Sequence, residues 1–183
     1  MKPKACKSCS TVFTPSARIQ SVCSMTCCIN LAEAKAAKVA AKAKAEDRKL
    51  TRIALVALKT RSTLIKEAQT AVNAWVRRRD AHLPCVSCGR MHEGQWHAGH
   101  YCSTGSRPDL RFDLANIHKQ CAPCNNHLSG NLIPYRVKLI NRIGQAEVDR
   151  LEGPATGVKL TRDELIALRA EYVAKLKGRW FEA

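Results

Sequence analysis

Glycine and proline are missing from a long stretch of this chain. Neither residue occurs between Ser16 and Leu83, and all nine glycines lie at Gly89 or beyond. Because these two residues interrupt helices most strongly, their absence predicts that this stretch is helical. At 183 residues, the chain can hold one ordinary core or two small modules joined by a helix.

Acidic side chains are scarce. Lys and Arg number 31 against 15 Asp and Glu, which gives a formal net charge of +16. Such an excess says more about partners than about fold, and the commonest strongly anionic partner is nucleic acid. A solvated basic surface that aids solubility is the alternative. We favour nucleic acid because the charge coincides with zinc-type cysteine motifs.

Long apolar runs are absent as well. The N-terminus MKPKACKSCS has no apolar signal core, and no stretch approaches the length of a membrane span. We therefore expect a cytoplasmic protein, in a reducing compartment where paired Cys-x-x-Cys motifs bind metals. Aromatic residues make up 5% of the chain, so metals are expected to supply stability that a small core cannot.

The ten cysteines predict two zinc sites. Two matching Cys-x-x-Cys pairs form a structural site with no open position, and its ligands are Cys85, Cys88, Cys121 and Cys124. A second zinc site is predicted at Cys6, Cys9, Cys23 and Cys27. Cys28 is adjacent to Cys27 and is an alternative fourth ligand. Cys102 has no partner at metal spacing and is interpreted as a core residue or a free thiol.

Helical periodicity is clear in the middle of the chain. Residues 31–50 are rich in Ala and Lys and carry little apolar surface, which predicts an exposed helix or connector. The next helix is predicted to start at Ser62 as its N-cap. Its apolar stripe would pack on the following domain and consists of Leu64, Ile65, Ala68, Ala71, Val72, Trp75 and Val76. The residues predicted to contact DNA lie on the same helix and are Lys66, Arg77, Arg78 and Arg79.

Two further helices are predicted after the second cysteine pair. One begins near Pro134 and stops at Gly144. The other opens with a capping box, Thr161-x-x-Glu164, and ends at Gly178. The apolar stripe of this last helix is Leu165, Leu168, Tyr172 and Leu176.

Polar residues of types that are common in active sites lie between and just beyond the Cys85–Cys88 and Cys121–Cys124 pairs. They are His97, His100, Asp109, Asp113, Asn116, His118, Asn125 and His127. Because four thiolates satisfy the zinc, these histidines are not needed as its ligands. A histidine in an apolar strand is ordinarily a packed or surface residue. On so basic a chain, the whole set indicates hydrolysis of a phosphodiester.

The sequence resembles a known nuclease group. A His-bearing strand, a central Asn and a closing Cys-x-x-Cys-Asn look like the HNH, or ββα-metal, fold and are similar to the phage junction resolvase endonuclease VII. More closely, the chain resembles the lambdoid-phage NinG (Rap) recombination family. The resemblance covers nearly the whole chain and is densest from 64 to 150. The matching segments are QTAVNAWVRRRDAHLPCVSCG, QWHAGHY, LRFDLANIHKQCAPCNNHLSGNLIPYRVKLINRIG and RAEYVAKLK.

The resemblance implies a role for each matching residue. His100 matches the general base that deprotonates water, and a neutral histidine can accept a proton near pH 7. Asn116 matches the residue that holds the catalytic loop, and Asn125 matches a ligand of a catalytic Mg²⁺ or Mn²⁺ ion. His97 stands where the family pattern has Asp. His97 is the second predicted ligand of this ion, and because imidazole prefers softer ions than a carboxylate does, this position favours ions such as Mn²⁺, Ni²⁺ or Zn²⁺ over Mg²⁺.

The predicted protein is α+β and mostly helical. It comprises an N-terminal, treble-clef-like zinc knuckle (1–30), a basic helical connector (31–61), a zinc-stabilised HNH-like nuclease domain (62–150) and a C-terminal helix packed on that domain (151–183). The resemblance implies a phage- or prophage-encoded endonuclease that cleaves Holliday junctions and D-loops in recombination. A general HNH nicking enzyme and a branched-DNA-binding protein without catalysis are the alternatives. Because a four-way junction is two-fold symmetric, a homodimer is expected.

Overall fold

The computed structural model describes residues 1–178 and divides the chain into two compact units, Met1–Lys59 and Thr60–Ala183. The fold is mixed α/β and about 55% helical. Among the described residues, no helix has the length and apolar character needed to cross a membrane. The predicted C-terminal segment 151–183 extends beyond the described residues at its last five positions.

The first unit consists of a small hairpin and one long helix. Strands β1 (Lys4–Ala5) and β2 (Val12–Phe13) pair antiparallel, and helix α1 runs from Met25 to Leu58. Ser24 is the N-cap of α1, and its hydroxyl accepts a hydrogen bond from the Cys27 amide. The predicted boundary at 30/31 falls inside α1. The structure therefore groups the predicted knuckle and connector into one unit.

The second unit begins with helix α2 (Arg61–Arg79). Its N-cap is Thr60, whose side chain accepts a hydrogen bond from the Thr63 amide. The predicted cap at Ser62 is therefore wrong, because the chain is still extended at Thr60 and turns helical at the next residue. The predicted apolar stripe is confirmed. Five of its seven residues are buried, namely Leu64, Ala68, Ala71, Val72 and Val76.

A two-stranded sheet lies against α2. Strands β3 (Trp96–His100) and β4 (Ile117–Cys121) pair antiparallel, with His97 opposite Gln120 and His100 opposite Ile117. Ala98 and Ile117 pack with Val72 and Val76 in one apolar cluster. A 3₁₀ turn at Pro108–Leu110 lies in the loop between the strands, and a π-helical turn at Pro123–His127 follows β4.

Three helices complete the unit: α3 (Leu132–Ile143), α4 (Gln145–Glu152) and α5 (Arg162–Lys177). Helix α3 starts two residues before the predicted Pro134 and ends at Gly144, whose φ of +87° suits glycine. The capping box of Thr161 and Glu164 is confirmed, as is the stop at Gly178. Helix α5 packs on α2 through Leu165, Leu168 and Tyr172.

A buried carboxylate connects α2, β4 and α3. Asp80 is 3% exposed and accepts hydrogen bonds from the Arg79 guanidinium at 2.7 Å and the Lys119 amide at 3.0 Å. Burial opposes its ionisation, but these donors and the charge of Arg79 hold the pKa of Asp80 below its ordinary value. Arg142 and His118 lie 3.6 and 3.8 Å from the same carboxylate.

Candidate metal and catalytic centre

The second unit holds the first candidate metal site. The sulfur atoms of Cys85, Cys88, Cys121 and Cys124 all lie within 4.8 Å of one another. Burial disfavours the thiolate of Cys85, but amide donors from Cys121, Cys88 and Ser87 lower its pKa to about 7. Burial and the neighbouring thiols raise the pKa of Cys121 to about 12. A divalent cation among the four sulfurs would offset this repulsion, so the donor set fits a structural zinc ion.

The first unit holds a second cysteine group. The sulfurs of Cys6, Cys9, Cys23 and Cys27 also lie within 4.8 Å of one another. Cys28 is exposed and lies outside the group, which leaves Cys27 as the fourth ligand. Cys102 belongs to neither group. Its side chain is half-buried against an apolar core cluster of the second unit.

His100 is held in place by a backbone carbonyl. Its Nε2 lies 3.0 Å from the carbonyl oxygen of Arg111 and 3.4 Å from the Gln69 amide nitrogen. Donation from Nε2 to the carbonyl leaves Nδ1 with a lone pair that can accept a proton. Burial lowers the pKa of His100, and the Arg111 charge lowers it further, against the opposing hydrogen bond to the carbonyl. The imidazole is therefore neutral at pH 7.

Asn116 fastens the loop that joins the two strands. Its side-chain oxygen accepts from the Cys102 amide at 2.7 Å, and its amide nitrogen donates to the carbonyls of Cys102 and Leu110 at 3.0 and 3.1 Å. Asn116 is fully buried. Three side-chain hydrogen bonds from one residue fix the path of the loop just after His100.

His97 lies on the other face of the hairpin from His100. Side chains alternate along a strand, so residues three apart point to opposite faces. His100 contacts Gln69 on the α2 side. His97 shares its face with Gly99 and Gln120, since a Cβ added at Gly99 would come 2.0 Å from the Gln120 side-chain oxygen. The structure therefore does not bring the two predicted histidines onto one face.

Two buried atoms on the His97 face have no hydrogen-bond partner: Nε2 of His97 and the side-chain oxygen of Gln120. The two residues are paired directly across the strands. Gln120 is anchored through its amide nitrogen, which donates to Ser87 and to the Gly130 carbonyl. Buried polar atoms without partners usually meet water or an ion. These two atoms therefore fit a bound water molecule, or a cation where His97 is protonated on Nδ1 and its Nε2 carries a lone pair.

Asn125 lies in the π-helical turn and is half-buried. Its amide nitrogen donates to Asn126 at 2.9 Å, so its carbonyl oxygen is available to a cation. Within residues 1–178, the two cysteine tetrads are the groups of three or more His, Cys, Asp or Glu ligands. An ion bound at either His97 or Asn125 would therefore need further ligands from amide, water or phosphate oxygens.

The other polar residues predicted between and just beyond the Cys85–Cys88 and Cys121–Cys124 pairs either form contacts with arginines or face solvent. Asp109 is bound by Arg107, Asp113 by Arg150, and His118 lies in the Asp80 network. Burial and the charges of Arg142 and Arg79 lower the pKa of His118 to about 4. His127 is exposed at the end of the π-helical turn.

Comparison with known proteins defines the family. The family model described as bacteriophage lambda NinG protein matches residues 1–179. The chain belongs to the NinG family. Its relatives include "Protein ninG" of Escherichia phage 933W, which is 56% identical over 126 residues, and that of Escherichia phage lambda, which is 55% identical over the same length.

The aligned part covers 69% of this chain but only 63% and 62% of these two NinG relatives. The chain thus spans less than two thirds of the length of the curated NinG proteins that it matches. "Protein ninG" of Salmonella phage P22 matches over a similar span, at 56% identity. No solved structure matches the chain.

The predicted DNA-contacting residues of this NinG chain differ in their surroundings. Lys66 is exposed and Arg77 half-exposed. Arg78 donates to the carbonyls of Leu176 and Gly178. Arg79 binds Asp80 and the Leu114 and Ile117 carbonyls. The guanidinium groups of Arg78 and Arg79 thus have protein partners, and phosphate contacts are better supported at Lys66 and Arg77.

Three residues of the NinG site were not singled out by the sequence: Gln69, Arg111 and Gln120. Arg111 donates to the Gln69 side-chain oxygen at 2.7 Å, and together they flank His100. Gln120 precedes Cys121 of the cysteine tetrad, and its side chain lies against Gly99. The glycine in WHAGH could have indicated a close neighbour on this face, because any side chain at Gly99 would collide with Gln120.

Proposed function

We propose that this chain is a metal-dependent endonuclease that hydrolyses phosphodiesters in branched DNA, such as Holliday junctions and D-loops, during phage recombination. The catalytic module is of the HNH type and lies between the two halves of the Cys85–Cys88–Cys121–Cys124 frame. The observation that carries the proposal is the setting of His100, a half-buried histidine whose Nε2 bonds to a carbonyl and whose pKa is lowered.

His100 acts as the general base. Its Nε2–H is directed to the Arg111 carbonyl, so Nδ1 takes the proton from the attacking water. The lowered pKa keeps this base unprotonated at neutral pH. Asn116 holds the following loop, and with it the Arg111 carbonyl that orients the ring.

His97 and Asn125 are the proposed protein ligands of the catalytic ion. The unpartnered Nε2 of His97 and the available side-chain oxygen of Asn125 suit a divalent cation, and Gln120 offers a further oxygen on the His97 face. When bound, a Mg²⁺ or Mn²⁺ ion supplies positive charge for the phosphate and its leaving oxygen. The imidazole ligand favours Mn²⁺ over Mg²⁺.

Cleavage of synthetic DNA tests the proposal directly. The zinc-loaded protein is incubated with a labelled four-way junction and with a linear duplex of matched sequence, each with Mg²⁺, Mn²⁺ or EDTA. We expect cleavage that depends on the metal and favours the junction. Equal cleavage of both substrates would identify a general nicking enzyme. Absence of cleavage with either ion would overturn the nuclease assignment.

A second candidate function is zinc-dependent binding of branched DNA without catalysis. The observation that favours it is the placement of His97 and His100 on opposite faces of β3, together with a histidine in place of the family's aspartate. This candidate predicts junction binding in a gel-shift assay with no cleavage in either metal. His97→Asp would then restore the family's ligand, and a gain of cleavage would show that the substitution at 97 removed the activity.

A further inference from the structure

Most of helix α1 has no contact that buries it. Every residue from 32 to 55 is exposed, although the segment is helical throughout. Alanine is the best helix former and lysine is among the good ones, so propensity supports this segment without tertiary packing. A solvent-exposed helix of this length is a surface without an assigned role.

Four lysines of α1 lie on one side of the helix: Lys35, Lys38, Lys42 and Lys49. At about 100° per residue, their spacings of three, four and seven place them within roughly 60° around the axis. At about 1.5 Å per residue, the set extends for roughly 21 Å along the helix. We name this set the lysine stripe.

Acidic side chains largely avoid the lysine stripe. Of the three on α1, Glu33 and Asp47 lie away from it by the same helical geometry. Glu46 borders the stripe and lies 3.7 Å from Lys49, but both side chains are about 60% exposed, so the pair is weak. Within the described part of the chain, the other three lysines of the stripe have no carboxylate within ion-pair distance.

The residues around the lysine stripe identify its partner. Between 32 and 49 the helix carries mainly alanine beside its charged residues, and Val39 is the one larger apolar residue. A helix that binds a membrane surface needs a broad apolar face, and a typical protein interface needs aromatic or apolar anchors. Neither is present here. A regular row of cations without apolar anchors suits a polyanion with regularly spaced charges.

We propose that the lysine stripe binds the phosphate backbone of a DNA duplex arm. With phosphates at about 3.4 Å intervals along the axis of each strand, a row of about 21 Å passes roughly six of them. The contact is independent of base sequence, because lysine meets a phosphate as a point charge. This inference rests on the proposed DNA binding of the chain. It adds that unit Met1–Lys59 supplies a DNA-contacting face.

Two double variants of the full-length, zinc-loaded protein test the lysine stripe. Lys38→Gln with Lys42→Gln removes two charges from it. Lys44→Gln with Arg48→Gln removes two charges from the other side of the same exposed helix. Net charge is therefore equal in the two variants, and glutamine preserves helix propensity. Fluorescence anisotropy with a labelled linear duplex and with a four-way junction gives the affinity over a salt series, and circular dichroism verifies the helix.

We expect the stripe variant to bind both DNAs several-fold more weakly, with the slope of log K against log salt reduced by about 2. The control variant should retain most of the wild-type slope. Equal losses in the two variants would show an effect of net charge alone, and no loss in either would remove α1 from the interface. Either result would contradict DNA binding by the lysine stripe, although the wild-type protein would still bind DNA. If the wild type binds neither DNA, the proposed function fails as well.

Discussion

At the scale of single residues, His100 is the side chain on which the proposed chemistry depends. His100→Ala should lower the rate of junction cleavage by roughly 10²–10⁴-fold, because the water loses its general base. Zinc content and junction affinity should remain close to wild type. The matched control is His82→Ala, at an exposed histidine of the same unit. Wild-type cleavage by His100→Ala would remove this residue from the mechanism.

The pH dependence of cleavage should report the environment of His100. The base works when neutral, so the rate should be level at neutral pH and fall only below the lowered pKa of His100. In Arg111→Gln the positive charge is lost, the pKa of His100 rises, and the acid limb of the profile should move to higher pH.

A pH–rate profile of both proteins measures this shift, with Arg90→Gln as a control at an exposed arginine of the same unit. An acid limb that stays in place in Arg111→Gln would mean that this charge does not act on the base.

The sequence pointed to His100 and Asn116 because both match residues of the nuclease family that the chain resembles, in two segments between the cysteine pairs. It did not point to Gln69 or Arg111. These residues are 42 positions apart, and their hydrogen bond exists only once α2 packs beside the loop. Arg79 shows the converse case. In the sequence it belongs to a basic run, but folding directs its guanidinium to the distant carbonyls of Leu114 and Ile117.

At the scale of structural elements, the Cys85–Cys88–Cys121–Cys124 group joins the start of the hairpin to its end. Cys121→Ser should abolish the cooperative thermal melt of the second unit and release one zinc ion, since four thiolates organise a module with a small core. Circular dichroism and metal analysis measure both effects. Cys102→Ser, at a half-buried cysteine outside both groups, should retain the zinc ion and melt cooperatively. A normal melt of Cys121→Ser would show that the metal is dispensable.

Substitution of two neighbouring cysteines identifies the fourth ligand of the group that contains Cys6, Cys9 and Cys23. Cys27→Ser should lose one of the two expected zinc ions, because Cys27 faces Cys6, Cys9 and Cys23. Cys28→Ser should retain both ions, because Cys28 is exposed and outside the group. Metal content per chain, measured on purified protein, distinguishes them. Zinc loss in Cys28→Ser alone would reverse the assignment.

Periodicity predicted the elements whose stability is local. The apolar stripe of α2 and the capping box of α5 depend on residues three or four apart, and both are present. The start of α2 was misplaced because Thr60 and Ser62 are both good caps, and sequence alone does not show where the extended chain ends. The 3₁₀ and π-helical turns are only three and five residues long, too short to leave a periodic signal in the sequence.

At the scale of the whole molecule, symmetry of the substrate predicts a dimer. Paired cuts across a two-fold junction require two active sites related by a C₂ axis. Leu50, Ile53 and Leu58 of α1 are each more than half exposed, and Val56 lies among them as a half-buried residue. These residues offer apolar surface for such a contact. Light scattering at micromolar concentration, with and without a junction, measures the stoichiometry. One chain per junction under conditions of paired cleavage would contradict the dimer.

Composition predicted the basic character of the whole molecule, since net charge is a sum over residues. The break between the two helices was predicted from a local signal instead. The cap assigned to Ser62 placed a second helix and a new domain there, and in the structure α1 ends at Leu58 and α2 begins at Arg61. The break lies at Lys59 and Thr60, which are extended although their residue types are compatible with a helix.

The first turn of α1 has a consequence for the ordering of the long exposed helix. Initiating a helix is the unfavourable step, and here Ser24 caps the turn while Cys27 joins it to the cysteine group. A metal ion bound by this group would supply a preformed nucleus for a helix of 34 residues, about 51 Å long. On chelation of zinc we expect the first turns of α1 to lose helical order, while the alanine- and lysine-rich segment beyond them keeps the helicity that its own propensity supports.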